Sequence, residues 1–337
     1  MTDENYDKIE SNPLDSITTL VPVVSPMSIP EVRLRELFTE AHRSWLMKSR
    51  SPDTRRNYAR DVGQFIQFVG SPSDHVEKLA FVRPHDVAAW RDSLQQRGLT
   101  NSSIRRKLTA LRSLFSYLQV YGHRGANPAH NDFVEAPPAP RDGKTVGLSP
   151  KDCRRLLDAP DPKTPVGVRD HALLAVLAYT GCRVGELSRL RIRDYKTTGA
   201  HRILEVQGKG GKERRAPLPV EAIERLDAWL LVLAASEGPL FRPTLTARGR
   251  GHDGFRPQPM SRRAVEYLME RYVRLLGFDS SVTVHSMRVT AITTARERGC
   301  DLVDLQDWAG HSDPRTTLAY IRNRDRLSRS PAYALNY

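Results

Sequence analysis

Between Asn127 and Gly147 the chain reads NPAHNDFVEAPPAPRDGKTVG, and this tract limits what everything around it can become. It has neither a helical nor an alternating period, and its prolines favour extended backbone. A chain of 337 residues interrupted in this way is too long for one core and is expected to fold as two domains. Hydrophobic residues, at 39%, leave each side enough apolar surface for a core of its own. Residues 1–30 mix acidic residues, Ser and Thr with Pro13, Pro22, Pro26 and Pro30, and are expected to be a disordered segment. No apolar stretch follows a basic one there, so no signal peptide is expected. The longest apolar runs, such as Ala172–Tyr179 and Ala228–Ala235, fall short of the roughly 20 residues that cross a bilayer.

Residues 31–126 read as a small helical domain. Val32, Leu34, Leu37, Phe38, Ala41 and Trp45 recur at helical spacing. A second helix opens at Pro52-Asp53 behind the cap Ser51 and places Tyr58, Val62, Phe65, Ile66 and Val69 on one face. A third runs from Pro84 to Arg97 and stops at Gly98; a fourth runs from Thr100–Ser102 to Gly122. After the linker at 127–147 comes a larger domain at 148–325. Helices are expected near 150–158, 168–180, 183–190, 220–236, 261–276, 286–298 and 301–309, with a last one opening at Asp313-Pro314. Strands at Arg202–Val206 and Arg214–Leu218 flank a Gly-Lys-Gly-Gly-Lys turn. Residues 326–337 form a C-terminal tail.

Lys and Arg number 52 against 39 Asp and Glu, a net charge of +13, which points to a polyanion and above all to nucleic acid. Arg105, Arg106, Lys107 and Arg112 on the fourth helix are candidate DNA contacts, and equally a solvated basic face. Cys153, Cys182 and Cys300 are too far apart in sequence for a disulfide framework or a zinc site, which suits a reducing cytoplasm.

Four stretches hold residues that can carry chemistry. In TGCRVGELSRLRIRDY, Arg183 follows a helix-ending Thr-Gly and shares a face with Glu186. An arginine there can aim its guanidinium at a phosphate, or merely pair with Glu186. In VQGKGGKERRAPLP, Lys209 sits in a glycine-rich turn, where it can reach into a groove or simply be solvated; P-loop spacing is absent. In VTVHSMRVTAITTARERG, His285 and Arg288 share a face at a helix start, a place suited to an anion, while His285 can also be a plain cap. Met287, Ile292 and Ala295 supply part of the buried face of that helix. In DLVDLQDWAGHSDPRTTLAYIR, Gly310 ends a helix, His311 lies in the turn and Tyr320 sits about two turns into the next. Either of the last two can be an ordinary packing residue.

The order of these pieces is more telling than any one of them. Arg183, Lys209, His285-x-x-Arg288, Gly310-His311 and Tyr320 resemble the constellation of the tyrosine recombinase (phage integrase) family. The intervals agree: three residues from His285 to Arg288, 23 from Arg288 to His311 and nine from His311 to Tyr320. SPDTRRNYARDVGQFIQFV and TNSSIRRKLTALRSLFSYL are similar to the core-binding domain of Xer-type members, so the resemblance spans residues 31–325. Met287 stands where the family usually has Leu, a volume-conserving exchange.

The resemblance implies a mainly α protein with a small β-hairpin or sheet: an N-terminal four-helix, SAM-like core-binding domain and an α+β catalytic domain. It implies a simple-type, site-specific recombinase that cleaves and rejoins double-stranded DNA at a specific recombination site. The path would run through a 3′-phosphotyrosyl intermediate and a Holliday junction, with no cofactor, metal or ATP. Tyr320 would be the nucleophile, with Arg183 and Arg288 bracketing the phosphate. Lys209 would protonate the leaving 5′-oxygen, His285 would assist proton transfer, His311 would donate a hydrogen bond to the phosphate, and Glu186 would orient its neighbours. The implied partners are DNA and a homotetramer in the synaptic complex, at the nucleoid in the cytoplasm and away from membranes; accessory proteins are left open. The tail would dock on a neighbouring subunit through Tyr333, Leu335 and Tyr337. A type IB topoisomerase and a non-catalytic DNA-binding regulator are the competing readings. The Xer-like helical half speaks against the first and the filled catalytic positions against the second.

Overall fold

The computed structural model describes residues 29–139, 145–208, 211–245 and 254–322, without the side chains of Ile321 and Arg322. Expectations for residues 1–28, for Lys209 and for the tail at 326–337 fall outside the described residues. Two compact units divide the chain, Met1–Arg141 and Asp142–Tyr337. Among the described residues no helix is long and apolar enough to cross a membrane.

The first unit is built from α1 (Glu31–Lys48), α2 (Pro52–Phe68), α3 (Pro84–Gln96) and α4 (Asn101–Val120), with a 3-10 turn at Val76–Ala80. Ser51 caps α2 by accepting the Thr54 N–H, and Thr100 caps α4 by accepting that of Ser103, so the sequence punctuation sets both starts. Leu34, Phe38 and Trp45 of α1 meet Val62, Phe65 and Ile66 of α2, Trp90 of α3 and Leu108, Leu111 and Phe115 of α4 in one core. Burying side chains of this size is worth about 1.5–3 kcal/mol each. The stretch expected to be an extended linker joins this core over its first part. Ala129 and Val134 are buried in it, and Arg112 on α4 donates to the carbonyls of both, at 2.8 and 2.7 Å. A polar, proline-rich tract stays put here because an arginine satisfies its carbonyls.

The second unit contains α5 (Pro150–Leu157), α6 (Pro165–Thr180), α7 (Val184–Leu187), β1 (Tyr195–Thr198), β2 (His201–Gln207), β3 (Glu213–Pro217), α8 (Val220–Leu233), α9 (Arg262–Leu275), α10 (Val284–Glu297), α11 (Leu302–Ala309) and α12 (Pro314–Arg322). Helix α6 is apolar all round over its second half, with Ala172 through Leu177 all buried, and it lies against α5, α8 and α10. The sheet is antiparallel in the order β1-β2-β3. β1 was not expected: three of its four residues, Lys196, Thr197 and Thr198, are exposed, and an edge strand of this kind has no apolar alternation to read. The helix expected over 183–190 shrinks to α7. Arg183 stands before it with extended backbone, and buried Leu190 leaves the helix to accept from the Leu240 N–H.

Candidate active site

Two helix-ending turns and one helix start build the site. Helix α6 ends at Gly181, whose φ of 57° is left-handed; a Cβ there would lie 2.8 Å from Cη2 of Trp308. Cys182 follows, its thiol pushed up to about 11 by burial and so unreactive. Arg183 comes next as the cap of α7. Its backbone N–H donates to Glu186 Oε2 at 2.9 Å, and its Nη1 donates to Oε1 at 2.7 Å. Burial alone would raise the Glu186 carboxyl, but these bonds and the charges of Arg183 and Arg214 outweigh it and hold the group below the usual carboxylate range. Arg183 keeps 41% of its side chain exposed while Glu186 is buried, so the carboxylate fixes one end of the guanidinium and leaves the rest facing out.

Helix α11 ends the same way, at Gly310 with a φ of 64°, and turns His311 inward. His311 is buried between Arg288 and Thr317. Its Nε2 lies 2.7 Å from Arg288 Nη2 and its Nδ1 lies 2.8 Å from Thr317 Oγ1. Arg288 can only donate, so Nε2 accepts and the ring proton sits on Nδ1, toward Thr317. Desolvation first, then the charges of Arg288, Arg183 and Arg214, push the imidazole down to about 4, which keeps it neutral. Both ring nitrogens are engaged within the protein, so a hydrogen bond from His311 to a phosphate requires one of these two contacts to open.

Arg288, on the first turns of α10, is buried and bonded inward. Nη1 donates to Gly181 O, and Nη2 reaches Ala309 O at 2.6 Å as well as His311. Its Nε–H has no partner among the described residues. Desolvation, and after it the Arg183 charge, lower its pKa. His285, one turn earlier, is exposed. Its Nε2 lies 3.2 Å from the Tyr320 hydroxyl. Desolvation and the charges of Arg288 and Arg183 lower the His285 pKa, which favours the neutral ring. Tyr320 stacks on His311, with ring centroids 5.4 Å apart and planes 6° from parallel, so its phenol runs along one imidazole and ends at another.

Thus Arg183, Glu186, His285, Arg288, His311 and Tyr320 come together from four helices. Sequence reading missed two members of the cluster. Thr317 sits one turn before Tyr320 and accepts the His311 Nδ1 proton that the Arg288 contact dictates; its i, i+3 spacing to Tyr320 was the available signal. Arg214 on β3 lies behind Glu186, and its alternation with buried Ala216 marks it as inward-facing. Arg183, Arg214 and Arg288 together face one carboxylate, Glu186, which leaves an excess of positive charge suited to a phosphodiester.

Of the four candidate DNA contacts on α4, Lys107 and Arg112 face inward, while Arg105 and Arg106 stay half-exposed. Lys107 is buried, with Nζ 3.0 Å from Asp61 Oδ1 and bonded to Gln64, and Arg106 pairs with Asp61. Arg105 donates to Pro137 O at 2.7 Å, and Arg112 holds Ala129 and Val134 as described. Lys107 and Arg112 are thus committed inside the unit: Asp61 is fully buried, and a buried carboxylate must be paired.

The description "Phage integrase family" matches residues 147–326, and "Phage integrase, N-terminal SAM-like domain" matches residues 42–120. Tyrosine recombinase XerC of Pelobacter propionicus is 32% identical over 282 residues, covering 82% of this chain and 87% of the relative. Tyrosine recombinase XerD of Vibrio cholerae is 28% identical over 297 residues, covering 86% and 92%. A lambda integrase dimer bound to a COC′ core site has a similar fold, with a TM-score of 0.65 and 19% identity, covering 88% of this chain and 78% of that one. XerH site-specific recombinase bound to difH in a pre-cleavage complex gives a TM-score of 0.61 and 16% identity, covering 91% and 97%.

Proposed function

The chain belongs to the phage integrase family of tyrosine recombinases, and we propose that it cleaves and rejoins double-stranded DNA with Tyr320 as the nucleophile. One observation carries this reading: the Tyr320 hydroxyl lies 3.2 Å from His285 Nε2, at the edge of the Arg183–Arg288 cluster. A phenol is a poor nucleophile until its proton leaves, and a neutral imidazole at hydrogen-bond distance can take that proton.

The reaction follows from the residues. A backbone phosphate beside Arg183 meets the half-exposed guanidinium first, while Arg288 supplies charge from below. The phenolic oxygen attacks phosphorus, a P–O bond to tyrosine forms, and the bond to the 5′-oxygen breaks. Both guanidinium groups are fixed before the extra negative charge develops, so they lower the barrier without reorganising. Lys209, between β2 and β3 in the sequence, is proposed as the acid that protonates the 5′-oxygen. The 3′-phosphotyrosyl bond keeps the energy of the phosphodiester, so rejoining by a second 5′-hydroxyl needs no ATP. Two such exchanges pass through a Holliday junction. Arg105 and Arg106, both half-buried, are proposed to add phosphate contacts in the first unit. Assembly as a homotetramer on two recombination sites belongs to the same proposal, as does docking of the tail at 326–337 on a neighbouring subunit.

A nicked suicide duplex carrying the site mapped by footprinting tests the reading. Wild type should give an SDS-stable protein–DNA adduct, with or without EDTA, and Tyr320→Phe should bind the duplex and give none. An adduct that persists in Tyr320→Phe would move the nucleophile elsewhere.

A further inference from the structure

Arg214 makes no bond in the reaction above, yet it touches both turns that create the site. From β3 its Nη1 donates to Trp308 O at 2.9 Å and its Nη2 to Thr180 O at 3.1 Å. Nη2 also lies 3.7 Å from Oε2 of Glu186, the carboxylate that holds Arg183. Thr180 is the last residue of α6, just before Gly181-Cys182-Arg183; Trp308 lies in the last turn of α11, just before Ala309-Gly310-His311. Arg288 spans the same gap one residue further along each chain, between Gly181 O and Ala309 O. The two arginines therefore form parallel rungs between the turn that presents Arg183 and the turn that presents His311. The Arg214 side chain is only 11% exposed, and Gly310 leaves it room: a Cβ at that glycine would stand 3.2 Å from Arg214 Cδ.

The rungs are not equivalent. Arg288 is assigned to the phosphate, so its Nη contacts with Gly181, Ala309 and His311 are shared with DNA whenever either Nη group turns toward a phosphate oxygen. Arg214 has its guanidinium on two carbonyls and Glu186, on the far side of the Glu186–Arg183 pair. We propose that Arg214 is a positioning residue, the rung that keeps the Arg183 turn in register with the His311 turn while Arg288 engages DNA. The inference rests on the function proposed above and adds a residue to it. Only a forked cation of this length reaches both carbonyls; a lysine keeps the charge near Glu186 but cannot span the gap.

The full-length chain with Arg214→Lys and Arg214→Gln tests this on the same nicked duplex, with DNA affinity measured separately in the Tyr320→Phe background. Misplacing catalytic groups by about 1 Å costs on the order of 100-fold in rate. Arg214→Gln should lose cleavage at saturating DNA by about that factor, with Kd changed less than about threefold. Arg214→Lys should lose roughly 10-fold or more despite keeping its charge, because the span between carbonyls is broken. The proposal is overturned if Arg214→Lys cleaves at the wild-type rate. It is equally overturned if the loss disappears once rates are corrected for the folded fraction, if the loss lies wholly in Kd, or if neither variant folds. Wild type that binds but forms no adduct would bring down the proposed function and this inference together. Wild-type adduct with undiminished variants would bring down the inference alone.

Discussion

Tyr320 lies along one imidazole and ends at another, and the two rings are prepared for different tasks. His285 offers an exposed nitrogen to the phenol; His311 is closed in by Arg288 and Thr317. The sign of the His311 shift sets a pH dependence. Its folded-state pKa is lowered from 6.5 to about 4, so folding favours the neutral ring. That stabilisation is complete above pH 6.5 and is withdrawn as pH falls toward 4, by about 3 kcal/mol in all. Other histidines, among them His42, His123, His171 and His285, also have lowered pKa values, so a difference measurement is needed. The urea midpoint of wild type should drop more between pH 7 and pH 4.5 than that of His311→Gln. Equal drops would mean that His311 is not the buried neutral base described here.

At the level of elements, the site depends on two left-handed helix ends more than on any long helix. Gly181 needs its glycine twice, for φ and for Trp308. Gly98, with a φ of 75° and open space around it, needs it only for φ. The pair separates strain from crowding. Gly98→Ala should cost roughly 1–2 kcal/mol of stability and leave cleavage intact. Gly181→Ala should cost more and also slow adduct formation, because Trp308, which it would crowd, belongs to the turn before His311. Thermal denaturation and single-turnover cleavage of both variants check this; equal behaviour would show that Trp308 yields without consequence. The α4 arginines and lysine carry a similar lesson. Their spacing reads as a basic face, but Asp61 on α2 draws Lys107 inward, and the carbonyls after α4 occupy Arg112.

For the whole molecule, the net charge of +13 has to act through many phosphate contacts instead of one helix face. If roughly 6–10 phosphates are neutralised, affinity falls by 10³–10⁵ between 50 and 200 mM salt. Lys107→Met should leave the slope of log K against log[salt] unchanged while lowering the stability of the first unit, because its partner Asp61 is buried. A slope reduced by about one would return Lys107 to the DNA interface. Fluorescence anisotropy across a salt series, alongside urea unfolding, distinguishes the two outcomes.

Local rules written in the sequence were enough for much of this protein. Ser51 and Thr100 announced helix starts, and periodic apolar residues announced the faces that fill the first core. The family pattern named Arg183, Glu186, His285, Arg288, His311 and Tyr320 before any contact was known. These signals are legible because capping and periodicity act over a few residues, and the family's motif residues recur in fixed order. Tertiary structure alone decided which cations are free. Asp61 claims Lys107 across 46 positions, and Arg214 reaches Trp308 across 94. A charged side chain reads the same in sequence whether it meets water, DNA or a buried carbonyl, and only the packing of distant elements chooses among them.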